Sequence, residues 1–80
     1  MQEFYLYSRE NCHLCDEMLD ELKDLLQGSD SIYHVIKING DPELEQRYGA
    51  RVPVLVAGDR ELCHIRLDRQ SVRNFLNPSP

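Results

Sequence analysis

The sequence predicts an α/β fold with the element order β-α-β-α-β-β-α. Three observations lead there. Short aromatic or β-branched runs alternate with helical patterns over the first two thirds of the chain. The last two such runs are separated only by Gly58-Asp59, a hairpin turn signal. Aspartates stand where two of the helices should begin, Asp41 and Asp68.

Taken in order, Glu3 to Tyr7 reads as a first strand and Ser8 to Asn11 as a polar loop. From Cys12 to Gln27, Leu14, Met18, Leu22 and Leu25/Leu26 recur at helical spacing, and Leu19 widens the stripe. Asp16, Glu17, Asp20, Glu21 and Asp24 fill the opposite face, and Gly28 supplies a stop. Ile32 to Ile38 is a second strand. With a helix between them, the first two strands should be parallel, joined by a right-handed crossover. Asp41-Pro42 pairs an N-cap acceptor with a proline at the first helical position, opening a short helix that ends near Tyr48-Gly49. Val52 to Val56 is expected as a third strand opened by Pro53, and Glu61 to Ile65 as the fourth. Asp68 caps a last helix, with Leu67 placed to staple onto Val72, and with Val72, Phe75 and Leu76 as its apolar stripe.

The chain has 80 residues, enough for one small core. Apolar residues make up 41% and charged residues 29%, a balance that excludes a disordered segment. The net charge of −5 argues against nucleic acid or an anionic membrane surface as partner, since both select a basic face. Met1-Gln2-Glu3 does not resemble the start of a secretory leader, and no apolar run is long enough for a bilayer. The expected location is the cytoplasm. Three cysteines, an odd number, fit a reducing compartment better than a structural disulfide framework.

Cys12-His13-Leu14-Cys15 lies where the first strand hands over to the first helix. The first sulfur of such a pair meets unpaired backbone N–H groups and the positive end of the helix dipole, which favour its thiolate. The second lies one turn deeper, within reach of a small disulfide ring. Arg9 supports the Cys12 thiolate, whereas Asp16 and Glu17 oppose it, so a moderate depression of the thiol pKa is expected. His13 is a candidate for tuning the pair. Zinc sites use the same C-x-x-C spacing, but Cys63 and His64, the other ligand types, are adjacent on a strand and point to opposite faces. Cys63 itself reads as a small core hydrophobe. Tyr5, Tyr7 and Tyr48 read as packing residues.

Two separated motifs now resemble one family. Tyr7-Ser8-Arg9-Glu10-Asn11-Cys12-His13-Leu14-Cys15 is similar to the glutaredoxin run of aromatic, hydroxyl and basic residues leading to the dithiol. Arg51-Val52-Pro53-Val54-Leu55 is similar to that family's Val-Pro segment. The chain therefore resembles the small glutaredoxin-like proteins of bacteria, within the thioredoxin-fold superfamily. The resemblance implies a thioredoxin-like, glutaredoxin-type architecture, a four-stranded mixed sheet flanked by three helices. It implies one domain over residues 1–76, with 77–80 as a loose tail. It also implies roles: Cys12 as nucleophile, Cys15 as resolving cysteine, Arg9 in binding glutathione and steadying the thiolate, Val52 in pairing its backbone with a thiol peptide, and Pro53 as a cis-proline facing the dithiol.

Two departures refine those expectations. His13-Leu14 replaces the usual Pro-Tyr inside the dithiol, and Leu62-Cys63-His64-Ile65-Arg66-Leu67-Asp68 has no Gly-Gly to cradle the glutamyl end of glutathione. The function expected is thiol–disulfide oxidoreduction and electron transfer on a protein or small-molecule disulfide. An external reductant, glutathione or a thioredoxin system, would reset the pair. Glutathione would be a co-substrate used weakly, with no bound cofactor. Two other readings share these residues: a thioredoxin-fold adaptor whose dithiol is a redox switch, and, less favoured, a metal or iron–sulfur carrier.

Overall fold

The computed structural model of the chain describes residues 2–77. Its elements are β1 (Glu3–Ser8), α1 (His13–Leu26), β2 (Ile32–Lys37), α2 (Pro42–Tyr48), β3 (Val54–Ala57), β4 (Arg60–His64) and α3 (Arg69–Leu76). The sheet order is β2-β1-β3-β4. β1 runs parallel to β2 and antiparallel to β3, and β3 and β4 form an antiparallel hairpin. This is the four-stranded mixed sheet with three helices that the sequence predicts.

The alternation of β1 decides how the layers assemble, because successive strand side chains point to opposite faces. Phe4 and Leu6 are fully buried on one face, where they meet Met18, Leu22 and Leu26 of α1, Leu55 and Ala57 of β3, and Val72 of α3. Phe75 meets the ring of Phe4 edge-on at 5.5 Å. Each such large side chain contributes about 1.5–3 kcal/mol on leaving water. Tyr7 points the other way, into a second cluster with Val54, Ile38 and Tyr48 of α2. Tyr7 and Tyr48 stack at 4.2 Å, and desolvation is the main reason the Tyr7 hydroxyl titrates above its ordinary range. Two helices thus cover one face and the short α2 covers part of the other.

Local signals set the helix ends. The Asp41 carboxylate accepts from the N–H groups of Glu43 and Leu44, both at 3.1 Å. The Asp68 carboxylate does the same for Gln70 and Ser71 and also accepts from the Ser71 hydroxyl. Leu67 packs on the main cluster beside Phe75 and Leu76. α1 ends with the Gln27 N–H on the Asp24 carbonyl, and Gly28 follows at φ 81°.

Several boundaries differ from expectation. Cys12 is the N-cap of α1 rather than its first helical residue. Val52 and Pro53 stand ahead of β3, since Pro53 has no N–H to give the ladder. β4 ends at His64 and excludes Ile65, whose φ of 68° cannot continue a strand. β4 also carries a bulge: Cys63 faces Leu55 but Glu61 faces Val56, leaving Leu62 as the extra residue. β2 is an edge strand with Ile32, Tyr33 and Val35 exposed. Of the expected tail, Asn77 is the C-cap of α3, and residues 78–80 lie outside the described part.

Candidate active site

β1 ends at Ser8, and the loop from Arg9 to Asn11 carries the chain to Cys12. Asn11 takes a left-handed φ of 56°, a conformation Asn tolerates better than most residues. Glu10 donates its N–H to the Asn39 side chain at 2.8 Å, which anchors this loop to the β2–α2 connection. Cys12 then stops being loop and starts a helix. Its carbonyl accepts from the Asp16 N–H at 3.1 Å, and its Sγ accepts from the Cys15 N–H at 3.2 Å. A sulfur here does what a serine or aspartate oxygen does at other helix starts.

Cys12 and Cys15 are joined in a disulfide, with Cα atoms 5.2 Å apart. Cys12 is half-buried, whereas Cys15 is only 2% exposed and faces the core with Met18. The pair is therefore asymmetric: Cys12 is partly exposed and Cys15 is buried. His13 projects into solvent with its side chain 88% exposed, and its Nε2 lies 3.9 Å from Glu17.

Strand register brings the second motif to the same end of the sheet. Tyr7 pairs with Val54, so Pro53, one residue earlier, lies beside the end of β1 from which the dithiol loop departs. The Val52–Pro53 peptide is cis. Val54 also pairs with His64, which brings the end of β4 to that edge. There the Ile65 N–H donates to the Pro53 carbonyl at 2.7 Å.

Arg9 is committed elsewhere. Its guanidinium forms a two-pronged pair with Glu45 and donates from Nη2 to the Gly49 carbonyl at 3.2 Å. Glu45 lies 36 residues away, and no local pattern in the sequence points to it. The hydrogen bond from Arg9 holds the Glu45 carboxyl below its ordinary range. A second anchor joins Arg51 of the α2–β3 loop to Glu61 of β4, and His64 Nδ1 lies 2.8 Å from the other Glu61 oxygen. These contacts, chiefly the one from Arg51, hold the Glu61 carboxyl low as well.

Two features lie outside the sequence expectations. Ser8 is buried, and its hydroxyl has no hydrogen-bond partner among the described residues. Ile65 occupies a left-handed conformation at the segment where the glutaredoxin Gly-Gly is missing. That sequence departure was the available signal for it. Cys63 is the free cysteine, half-buried, and burial is the main reason its thiol titrates above the ordinary range.

A four-stranded mixed sheet between helices, with a C-x-x-C disulfide at the first helix start, defines a thioredoxin-fold protein with a redox pair. The chain belongs to a more particular family: residues 3–77 match the glutaredoxin-like domain, DUF836. It is similar to protein Ne2328 from Nitrosomonas europaea at 41% identity and a TM-score of 0.83, covering 92% of this chain and 89% of that one. It is similar to XcR50 from X. campestris at 35% identity and a TM-score of 0.73, covering 96% and 99%. NrdH-redoxin from Escherichia coli, a glutaredoxin-like protein with a thioredoxin-like activity profile, aligns at 26% identity and a TM-score of 0.64, covering 98% and 99%. None of the curated proteins matches the chain. No helix among the described residues is long and apolar enough to cross a membrane.

Proposed function

We propose that this protein is a thiol–disulfide oxidoreductase acting on protein or small-molecule disulfides. One observation carries the reading: the disulfide joins a half-exposed Cys12 at the helix start to a buried Cys15. In the reduced protein the Cys12 thiolate attacks a substrate disulfide, forms a mixed disulfide and expels one substrate thiolate, which takes up a proton. Cys15 gives up its proton and attacks the Cys12 sulfur, releasing the second substrate thiolate and leaving the Cys12–Cys15 disulfide. Two electrons pass to the substrate, and a cytoplasmic dithiol or glutathione system returns them.

In this reading the Val52 backbone pairs with the substrate chain and Pro53 shapes the surface beside the sulfurs. His13 makes a modest contribution to thiolate stability. Arg9 serves mainly through its tie to Glu45, which leaves less of its charge for a glutathione carboxylate. With Ile65-Arg66 in place of Gly-Gly, glutathione lacks its cradle. Each lost charge-assisted contact costs about 1.5–3 kcal/mol, or roughly tenfold or more in affinity. The thioredoxin-like profile of the NrdH-redoxin relative supports a protein disulfide as substrate.

The test is turnover of hydroxyethyl disulfide and of insulin disulfides by pure protein, with glutathione and thioredoxin reductase systems offered separately. Expected is turnover by the wild type, none by Cys12→Ser, and a trapped mixed disulfide at Cys12 in Cys15→Ser. Absence of turnover with either reductant would reduce the pair to a switch on a binding protein.

A further inference from the structure

A groove of about 230 Å³ begins at the dithiol segment itself. Leu14, between the two cysteines, and Ile65, just after β4, both line it. Both are large apolar side chains held open to solvent, 36% and 40% exposed. Glu17 and Glu21 line the α1 wall, and Arg66 stands across from them.

Ile65 is placed there against its own preference. A β-branched residue at φ 68° is a steric outlier. The hydrogen bond to the Pro53 carbonyl and the Arg66 N–H on the His64 carbonyl, both 2.7 Å, hold it. Strain of this kind gathers where a surface is shaped for a ligand. The consequence is an apolar surface that includes Leu14, the residue between the two cysteines, and Ile65, which is bonded to Pro53.

The groove also has a sign. Two carboxylates and one guanidinium line it, and the helix that carries the carboxylates adds Asp16, Asp20 and Asp24 against Lys23 and, at its start, His13. Glu21 is partly neutralised by Arg69 at 3.3 Å, whereas the nearest base to Glu17 is the exposed ring of His13. The whole chain carries −5. Glutathione disulfide, itself an anion, is poorly matched to such a wall. A cationic peptide is well matched.

We propose that this groove is the subsite for the polypeptide flanking the target disulfide. It takes an apolar residue next to the substrate cysteine against Leu14 and Ile65, and a lysine or arginine against Glu17 and Glu21. The proposal rests on Cys12–Cys15 being a working dithiol and gives that site its substrate class, a disulfide in an apolar and basic sequence. The chemistry is the exchange already described: Cys12 bonds to the substrate cysteine, the other substrate sulfur leaves as a thiol, and Cys15 completes the two-electron transfer.

The experiment uses the full chain, reduced beforehand with dithiothreitol and freed of it. Rates of oxidation are compared for three probes: hydroxyethyl disulfide and two synthetic peptide disulfides, both with leucine beside cysteine, one bearing lysine and the other glutamate. The lysine peptide should react about tenfold faster than the glutamate peptide, with the ratio falling at high salt. In Glu17→Lys/Glu21→Lys the ratio should collapse or invert. Taking it within each protein cancels any change in Cys12 reactivity. Against a fourth probe, the lysine peptide with alanine in place of leucine, the wild type should prefer leucine, and Ile65→Gly should narrow that preference. Equal rates for the two peptides, with all probes reduced, overturn the groove assignment and leave the dithiol reading intact. No oxidation by any probe overturns both.

Discussion

The Arg9 guanidinium forks onto the Glu45 carboxylate, Nη1 donating to Oε2 and Nη2 to Oε1, each at 2.7 Å. Bidentate geometry fixes orientation as well as distance. The loop that presents Cys12 is thereby tied to α2 across the sheet edge. The folded-state pKa of Glu45 is lowered, so the stability it lends is present above the ordinary carboxyl value of about 4.3 and lost as pH falls through the folded value. Glu45→Gln should melt below the wild type at neutral pH, with the gap closing as the pH falls below the ordinary carboxyl range. Thermal melts across that range check it.

Gly49 closes the same contact. A Cβ there would run into the Glu45 carbonyl and stand 3.2 Å from Arg9 Nη2. Gly49→Ala should cost about 1–3 kcal/mol, the usual range for an overpacked site, read from urea unfolding.

Asp41 holds two N–H groups at the start of α2. Asp41→Ala should cost about 0.5–2 kcal/mol by the same measurement, and Asp41→Asn much less, because Asn caps nearly as well.

Ser8 is the opposite case. An unpaired buried hydroxyl is a liability of about 1–3 kcal/mol. Ser8→Ala should therefore leave stability unchanged or raise it. A clear loss would show that the hydroxyl is satisfied in solution.

Cys63 should react late. Burial raises its thiol, so little thiolate forms until alkaline pH. Limiting iodoacetamide on the reduced protein should label Cys12 well before Cys63 near neutral pH, as read by peptide mass. Comparable labelling would place Cys63 among the reactive groups.

Much of the architecture is legible in the sequence because its signals are local. Asp41-Pro42 and Asp68 announce their helices, and the period of Met18, Leu22 and Leu26 announces the buried face of α1. What escapes is what depends on distant neighbours. Glu45 is matched to Arg9 only after α2 has docked. Ile65 leaves its strand through a φ of 68°, and isoleucine is not a residue type that suggests a left-handed backbone. The apolar run of β2 does not announce an edge, since strand composition is silent about which neighbours are present. For the site, the spacing of Cys12 and Cys15 announces the pair. The acidic-walled groove needs the end of β4 brought against α1.

One sulfur serves two structural purposes, since Cys12 Sγ is both half of the disulfide and the acceptor for the Cys15 amide. The start of α1 is therefore wired to the oxidation state. Whatever changes the charge or bonding of that sulfur changes the environment of one backbone amide, without any domain having to move. The Cys15 amide resonance is a built-in spectroscopic reporter, able to distinguish dithiol, mixed disulfide and closed disulfide in a single titration.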